Sequence, residues 1–387
     1  MGLKVFIIAG EVSGDKLGGA LMEGLNAATD VTYQGVGGPL MQAQGLTSQF
    51  PMDELSVMGL AEILPKYRAL KARIRETADA VIAAKPDVLI TIDSPDFCLR
   101  VARLVKAASN TRIVHYVAPT VWAWRAGRAE KMARHVDQVL ALFPFEPPFM
   151  EAAGMRCDFV GHPVVAERVA TVAEADAFRV QHGIDGPLIL ALPGSRRGEV
   201  SRLAERFGDA LGQVVSQHPK ARVVVPCAGP VAVLVKEMTA DWAVSPLLID
   251  PDDKGAKRAA FRAADVALAA SGTVSLELAA SETPMVIAYD MAWLSRIVIS
   301  RMLQVDTVTL VNLVSDTRVV PEFIGGACVA DDIAKGLIDV MAQPEAQIAA
   351  MQLTMDRLGL GGAAPGHRAA AAVLSGLAVE DDQAAGQ

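Results

Sequence analysis

Carboxylates close two apolar runs in the first half of the chain, at positions suited to acid–base work. One run ends in Ala9-Gly10-Glu11-Val12-Ser13-Gly14-Asp15, another in Ile90-Thr91-Ile92-Asp93-Ser94-Pro95-Asp96-Phe97. A carboxylate at the carboxyl end of a strand is in reach of a bound hydroxyl and can take its proton. Asp93 fits that role first, with Glu11 and Asp96 as substitutes. Asp96 also has a complete structural explanation, because Ser94 reads as an N-cap, Pro95 as the first helical residue, and an acid in the first turn is favoured by the helix dipole. The glycines around Glu11 let backbone approach a ligand. They lack the GxGxxG spacing of a dinucleotide site, and a tight turn capped by Ser13 or Asp15 also accounts for them.

The second half carries groups suited to anions. Leu192-Pro193-Gly194-Ser195-Arg196-Arg197-Gly198-Glu199 ends a strand in a turn that exposes amides, followed at once by guanidiniums. Such a nest with a bidentate fork holds phosphate, although the spacing is not that of a P-loop. Ala270-Ser271-Gly272-Thr273-Val274-Ser275-Leu276-Glu277 is a second small-residue turn into a helix, with Glu277 placed to bond a ribose diol. Together Gly194, Ser195, Arg196, Ser271, Gly272, Thr273 and Ser275 point to a diphosphate. His115, in a strand, reads equally as a core histidine or a catalytic one. Trp122 and Trp124 stand beside Arg125, Arg128, Lys131 and Arg134, which suits an anionic interface or a solvated helix face in equal measure. No metal is expected: His and Cys are dispersed, and Asp250-Pro251-Asp252-Asp253, a literal DxD, reads as a solvated turn.

These residues need rigid elements behind them. Short apolar runs recur, each closed by Gly, Pro, Ser or Asp and followed by a helical stretch, the rhythm of a parallel sheet covered on both faces. Strands are predicted near 5–9, 32–36, 88–92, 113–117 and 139–142. A Gly/Pro hinge at Val160-Gly161-His162-Pro163 follows, and then strands near 188–192, 222–225, 247–249, 266–269 and 285–288. The expected class is α/β, with two Rossmann-like doubly wound lobes facing a central cleft and ligands outside the carboxyl ends of the strands. The boundaries read as 1–163 for an N-terminal lobe, 164–345 for a C-terminal lobe, 346–379 for helices packing back toward the N-terminal lobe, and 380–387 for a polar, frayed tail.

The 387 residues carry 36 Lys+Arg against 44 Asp+Glu, a formal charge of −8, which argues against a dedicated nucleic-acid binder. Four well-separated cysteines read as reduced thiols of a cytoplasmic protein. The start reads as a buried strand rather than a leader, and no run of 18 apolar residues offers a membrane span. A mean hydropathy of +0.31 nonetheless leaves room for a surface that touches lipid.

With these motifs in place, the chain resembles the lipid-A-disaccharide synthase family, glycosyltransferases of GT-B fold. The resemblance runs nearly end to end, through the two carboxylate blocks, Met58-Gly59-Leu60, His115-Tyr116-Val117-Ala118-Pro119-Thr120-Val121-Trp122-Ala123-Trp124-Arg125, Pro144-Phe145-Glu146, Gly161-His162-Pro163, Leu192-Pro193-Gly194-Ser195-Arg196, Ala270-Ser271-Gly272-Thr273 and Asn312-Leu313. Departures are Arg197-Gly198 after the phosphate turn and Val311 before Asn312. It implies inverting transfer of a 2,3-diacylglucosaminyl group from its UDP donor to 2,3-diacylglucosamine 1-phosphate, giving a β-1,6-linked disaccharide and UDP, without metal or other cofactor. UDP is then expected in the C-terminal lobe and the acylated sugar-phosphate acceptor in the N-terminal lobe, with the enzyme peripheral on the inner face of the cytoplasmic membrane. Asn312 and Glu277 would orient donor sugar and ribose, and closure about Gly161-His162-Pro163 would exclude water. Residues 55–64, followed by Lys66, Arg68, Lys71, Arg73 and Arg75, and residues 293–303 are the segments suited to lipid, with ordinary core helix as the alternative. A homodimer is compatible with this reading. The competing functions are another GT-B enzyme of UDP-GlcNAc, such as a 2-epimerase or a soluble-acceptor transferase, and a non-catalytic membrane-associated nucleotide-binding module.

Overall fold

The computed structural model describes residues 2–55, 60–122, 127–291 and 305–385, and their side chains except at 60–67 and 379–385. The chain divides into two compact units, Met1–Ala166 with Gly361–Gln387, and Glu167–Leu360. In the first unit, strands β1 (Leu3–Ala9), β2 (Val31–Val36), β3 (Val88–Ile92), β4 (Arg112–Tyr116), β5 (Gln138–Ala141) and β6 (Arg156–Phe159) form one sheet in the order β2-β1-β3-β4-β5-β6. Every pairing is parallel. All residues of β3, β4 and β5 are buried, which explains their mostly apolar runs, and the polar members Thr91, Arg112, His115 and Gln138 are buried with them.

The second unit repeats the plan with β7 (Leu188–Leu192), β8 (Arg222–Pro226), β9 (Leu247–Ile249), β10 (Val266–Ala269), β11 (Met285–Tyr289) and β12 (Glu322–Ile324), ordered β12-β11-β10-β7-β8-β9. Its core is set by the helix Arg197–Gln217, which places Val200, Leu203, Ala204, Phe207, Leu211 and Val214 on one stripe against Ile189, Val223 and Leu268. Truncating Phe207 to alanine would cost about 3–5 kcal/mol. Strand order reverses direction between β1 and β3 in the first unit and between β7 and β10 in the second. In doubly wound sheets ligands bind outside the carboxyl ends of the strands at such switch points.

The ten expected strands form within two residues of their predicted bounds. β6 and β12 were not anticipated: each is four residues or fewer, and β12 is only half-buried along its length, so neither carries an apolar run. Two boundaries also differ from expectation. The first unit extends to Ala166, because the 3-10 turn Pro163–Ala166 packs with it. The segment expected to be 346–379 is divided: the helix Glu345–Leu358 belongs to the second unit, where Gln347 exchanges hydrogen bonds with the Met285 backbone at 2.8 and 3.0 Å. Gly359 (φ 101°) ends it, and the helix Pro365–Ala385 joins the first unit instead. That helix includes residues 380–385 of the expected tail, and 386–387 lie outside the described residues.

Among the described residues no helix is long and apolar enough to cross a membrane. Of the segments suited to lipid, 56–59 and 293–303 lie outside the described residues, as do Trp124 and Arg125. Arg73 of the basic stripe is engaged by Glu54 (2.9 Å) and Glu76 (2.7 Å) and lies over the Phe50 ring.

Candidate active site

In the first unit β1 and β3 pair with Ala9 opposite Ile92, so Gly10-Glu11 and Asp93-Ser94 leave the sheet side by side. A Cβ on Gly10 would lie 2.6 Å from Ser94 Oγ, so a side chain here would force Ser94 to shift. Asp93 (φ 48°) and Ser94 (φ 42°) both adopt the left-handed conformation, which aspartate tolerates better than most residues but which still costs about 1–3 kcal/mol. The Asp93 N–H, donating to the Tyr116 carbonyl at 3.0 Å, holds the turn in place, and Pro95 opens the helix Pro95–Ala108 directly behind it. Burial raises the Asp93 carboxyl above its ordinary value, partly offset by the Ser94 amide. A carboxylate shifted toward working pH is the better proton acceptor.

The neighbours of Asp93 sort differently. Asp96 is exposed in the first helical turn. Ser94 occupies the N-cap position, yet its hydroxyl is buried and caps nothing. Glu11, not Ser13 or Asp15, is the N-cap residue of the helix Val12–Ala28. The buried Asp15 carboxylate instead accepts from the amides of Gly38 (2.9 Å), Leu40 (3.0 Å) and Met41 (3.0 Å), capping the adjacent helix Pro39–Ala43. His115 is a satisfied core histidine: its Nδ1 lies 2.8 Å from Thr91 Oγ1, and burial lowers its pKa to about 4.

Next along the same edge, Val117 (φ 82°) follows β4 and its N–H donates to the Leu140 carbonyl at 3.0 Å. The Trp122 ring meets Phe145 edge-on at 5.1 Å, Phe145 stacks on Phe143 at 5.4 Å, and Phe143 lies 5.4 Å from the His162 ring. Beneath these rings is Glu146, which sequence reasoning passed over. It is 3 % exposed, and its Oε2 accepts from the Leu142 and Phe143 amides, both at 3.0 Å. Burial pushes its pKa up to about 7, against the opposing pull of those amides and of the Trp122 indole. The signal available was an acid embedded in Leu142-Phe143-Pro144-Phe145, directly after a buried strand.

In the second unit β7 and β10 are neighbours, with Leu192 opposite Ala269, and the Ala270 N–H donates to the Leu192 carbonyl at 2.9 Å. The turns at Gly194-Ser195-Arg196 and Ser271-Gly272-Thr273 therefore emerge together at the switch point. Gly194 takes φ 107°. The amides of Ser195 and Arg196 converge as an anion nest, and the nest already holds a carboxylate: Glu199 Oε2 accepts from them at 3.1 and 3.2 Å, while Arg196 Nη1 lies 3.4 Å from Oε1. The Arg196 side chain is 68 % exposed, which leaves most of its fork open to a ligand. Glu199 at the third helical position supplies one half of a capping box by accepting from the Arg196 N–H, and the Arg196 guanidinium, having no acceptor, cannot supply the other half.

Gly272 (φ 149°) is exposed with open space at its Cβ position, and Thr273 sits at the N-cap of the helix Val274–Ala280 without using its side chain. Glu277 is paired with Lys257 Nζ at 2.7 Å. Two other expected ligand residues are engaged within the fold. Ser275 Oγ is buried and donates to the Gly272 carbonyl at 2.9 Å, which fixes the turn from beneath. Asn312 is 1 % exposed; its amide donates to Thr307 Oγ1 (3.2 Å) and the Val320 carbonyl (3.0 Å) and accepts from the Val320 N–H (3.0 Å). These bonds hold both side chains within the fold. In the DxD loop, Asp253 caps the helix Lys254–Ala263 and Asp250 accepts from the Asp252 amide at 2.9 Å. Among the described residues no group of three His, Cys, Asp or Glu side chains converges as a metal site.

Two doubly wound units, one edged with carboxylates and the other with an anion-binding pair of turns, define the GT-B class of sugar-nucleotide enzymes. Solved structures share this fold: UDP-GlcNAc 2-epimerase from Neisseria meningitidis bound to UDP-GlcNAc (TM-score 0.65, 11% identity, covering 96% of this chain and 99% of that one) and Acinetobacter baumannii MurG (TM-score 0.55, 15% identity, 95% and 98%). The family model for lipid-A-disaccharide synthetase matches residues 5–372. The lipid-A-disaccharide synthase of Ruegeria pomeroyi is 62% identical over 97% of this chain and 96% of its own length, and that of Rhodospirillum centenum 45% identical over 96% and 94%. The chain belongs to the lipid-A-disaccharide synthase family, glycosyltransferases of lipid A biosynthesis.

Proposed function

We propose that the protein condenses UDP-2,3-diacylglucosamine with 2,3-diacylglucosamine 1-phosphate to the β-1,6-linked disaccharide 1-phosphate and UDP. The observation that carries this reading is the pair of turns at the β7/β10 switch point in a chain of this family. The first unit takes the acylated acceptor and the second the UDP-sugar. Asp93 removes the proton of the acceptor 6-hydroxyl, the resulting oxygen attacks the anomeric carbon from the face opposite the diphosphate, and the carbon–oxygen bond to UDP breaks, inverting the configuration. Arg196, with the amides of Ser195 and the Gly272-Thr273 turn, offsets the charge that develops on the departing diphosphate, a role worth roughly 3 kcal/mol for one well-placed donor. Glu277, held by Lys257, bonds the ribose. Glu11 and Asp96 flank the base without replacing it.

The acyl chains of both substrates argue for work at the inner face of the cytoplasmic membrane through peripheral attachment, since each buried methylene contributes about 0.8 kcal/mol. Weak, salt-sensitive flotation with anionic liposomes is the expected behaviour, and no attachment at low salt would remove the basic surfaces from the account. Incubating the purified protein with the acylated UDP-sugar, with and without the acylated sugar phosphate, should yield UDP and disaccharide by mass spectrometry only with both, at a rate unaffected by chelators. Epimerisation of UDP-GlcNAc in their place would assign it to the epimerases instead.

A further inference from the structure

Glu146 has no part in the reaction just described, yet it is a carboxyl sealed from water at the carboxyl edge of the sheet that carries Asp93. Three strand ends are tied there in series: Asp93 N–H to the Tyr116 carbonyl, Val117 N–H to the Leu140 carbonyl, and the Leu142 and Phe143 amides to Glu146 Oε2. Next to the carboxyl lies Trp122, whose buried indole N–H makes no hydrogen bond of full geometry yet is near enough to Glu146 to draw its pKa down. Phe145 abuts Trp122 edge-on and Phe143 stacks beneath it. Trp122 and Phe145 are each half-exposed, so one face of this aromatic cluster meets solvent.

We propose that Glu146 is a positioning residue for the sugar bound by the first unit: its carboxylate anchors the Trp122 indole, and through Trp122 and Phe145 it sets an aromatic wall on the same sheet edge as Asp93. Aromatic faces of this kind take the apolar face of a sugar ring and the methylenes next to it. The inference rests on the acceptor assignment made above. The anchoring form is the charged one, because a carboxylate accepts from both amides and still attracts the neighbouring indole N–H, whereas a protonated carboxyl turns one oxygen into a second donor facing that N–H.

Among the described residues around Glu146, the groups whose titration is displaced lie away from neutrality. Cys157, from β6, is pushed up to about 12 by burial and then by the negative charges of Glu146, Asp158 and Glu151. His162, across the Phe143 ring, is lowered to about 4 by burial and by the charge of Lys16. Trp122, Phe143, Phe145 and Leu142 contribute no ionisable side chain.

The test uses the full-length chain with Glu146→Gln, which keeps shape without charge, and Trp122→Phe, which keeps the ring without the N–H. The emission of Trp122, taken as the difference between the wild type and Trp122→Phe, should shift with a midpoint near pH 7 and lose that shift in Glu146→Gln. At pH 8 both variants should raise the acceptor KM about tenfold with kcat changed less than about twofold, the loss expected for one charge-assisted hydrogen bond. A pH-independent Trp122 emission in the wild type would overturn the proposal, as would an unchanged acceptor KM in a folded Glu146→Gln, or a fall in kcat at constant KM. The emission experiment needs no substrate, so absence of turnover in the wild type would refute the acceptor assignment separately.

Discussion

The sheet edge that carries Asp93 and the one that carries Arg196 occupy the same topological place in two units of the same plan, and they are built from opposite materials. The first is buried and strained: three non-glycine residues hold positive φ there, and two carboxyls, Asp93 and Glu146, are shifted upward by desolvation. The second is open and relaxed, with positive φ among its described residues confined to the glycines Gly194, Gly272 and Gly325, and its charge carried by backbone amides and an exposed guanidinium. Taking a proton requires a carboxylate made more basic by removal from water. Receiving a diphosphate requires donors that lose little hydration and keep their charge at every working pH. One architecture accommodates both because the chemistry resides in the turns and not in the strands.

Five measurements break or sharpen that contrast. Asp93→Asn should lower kcat by about 10²–10⁴-fold while calorimetry finds UDP binding unchanged; an equal loss of UDP affinity would erase the division of labour. The acid limb of the wild-type rate profile should lie above the ordinary carboxylate range, since protonation of Asp93 removes the base. Arg196→Ala should lower kcat/KM for the donor by about 10²-fold with no change in melting temperature, because the side chain is mostly exposed. Unimpaired turnover would remove it from the site.

The fourth concerns the cost of burial. Glu146 titrates at about 7 in the folded protein against 4.5 ordinarily, so folding favours its protonated form. Stability from this group is fully present below about pH 4.5 and is lost as pH rises through about 7, to the extent of about 3 kcal/mol. Urea unfolding of Glu146→Gln should therefore show a stability advantage over the wild type that grows from pH 5 to pH 8, and a constant difference would refute the desolvation account. The smallest effect is expected in the open edge. Glu199→Gln withdraws a competing charge from the Ser195 and Arg196 amides, so UDP should bind about fivefold tighter and uridine equally well. Weaker UDP binding would mean that Glu199 serves the nest only as its brace.

The strands and the turns that follow them were legible because both signals are local. A run such as Val88-Leu89-Ile90-Thr91-Ile92, bounded by turn residues, reads as a buried parallel strand, and Asp93 or Gly194 just after such a run marks its carboxyl end. What escaped depends on which way a polar side chain turns, and distant packing decides that. Asn312 reads as a sugar ligand in its motif, whereas the bonds that hold its amide to Thr307 and Val320 are visible only in the fold. Glu146 and Glu199 stood in quoted motifs without a role, since only the folded turn brings each carboxylate back onto amides three or four residues earlier. The partner of the last helix was likewise invisible in detail, being a match of small residues hundreds of positions apart.

That last contact governs when the first unit can be completed. Gly24 and Gly366 meet so closely that a Cβ on Gly24 would lie 2.8 Å from the Gly366 carbonyl, and Gln138, Arg156 and Phe159 bond Ala372, Ser375 and Arg368 of the same helix. During synthesis the unit that begins the chain must wait, its flank uncovered, until the whole intervening unit has been made and the final helix has left the ribosome. Shortening the carboxyl terminus should consequently harm the amino-terminal unit first, and the second unit only by consequence.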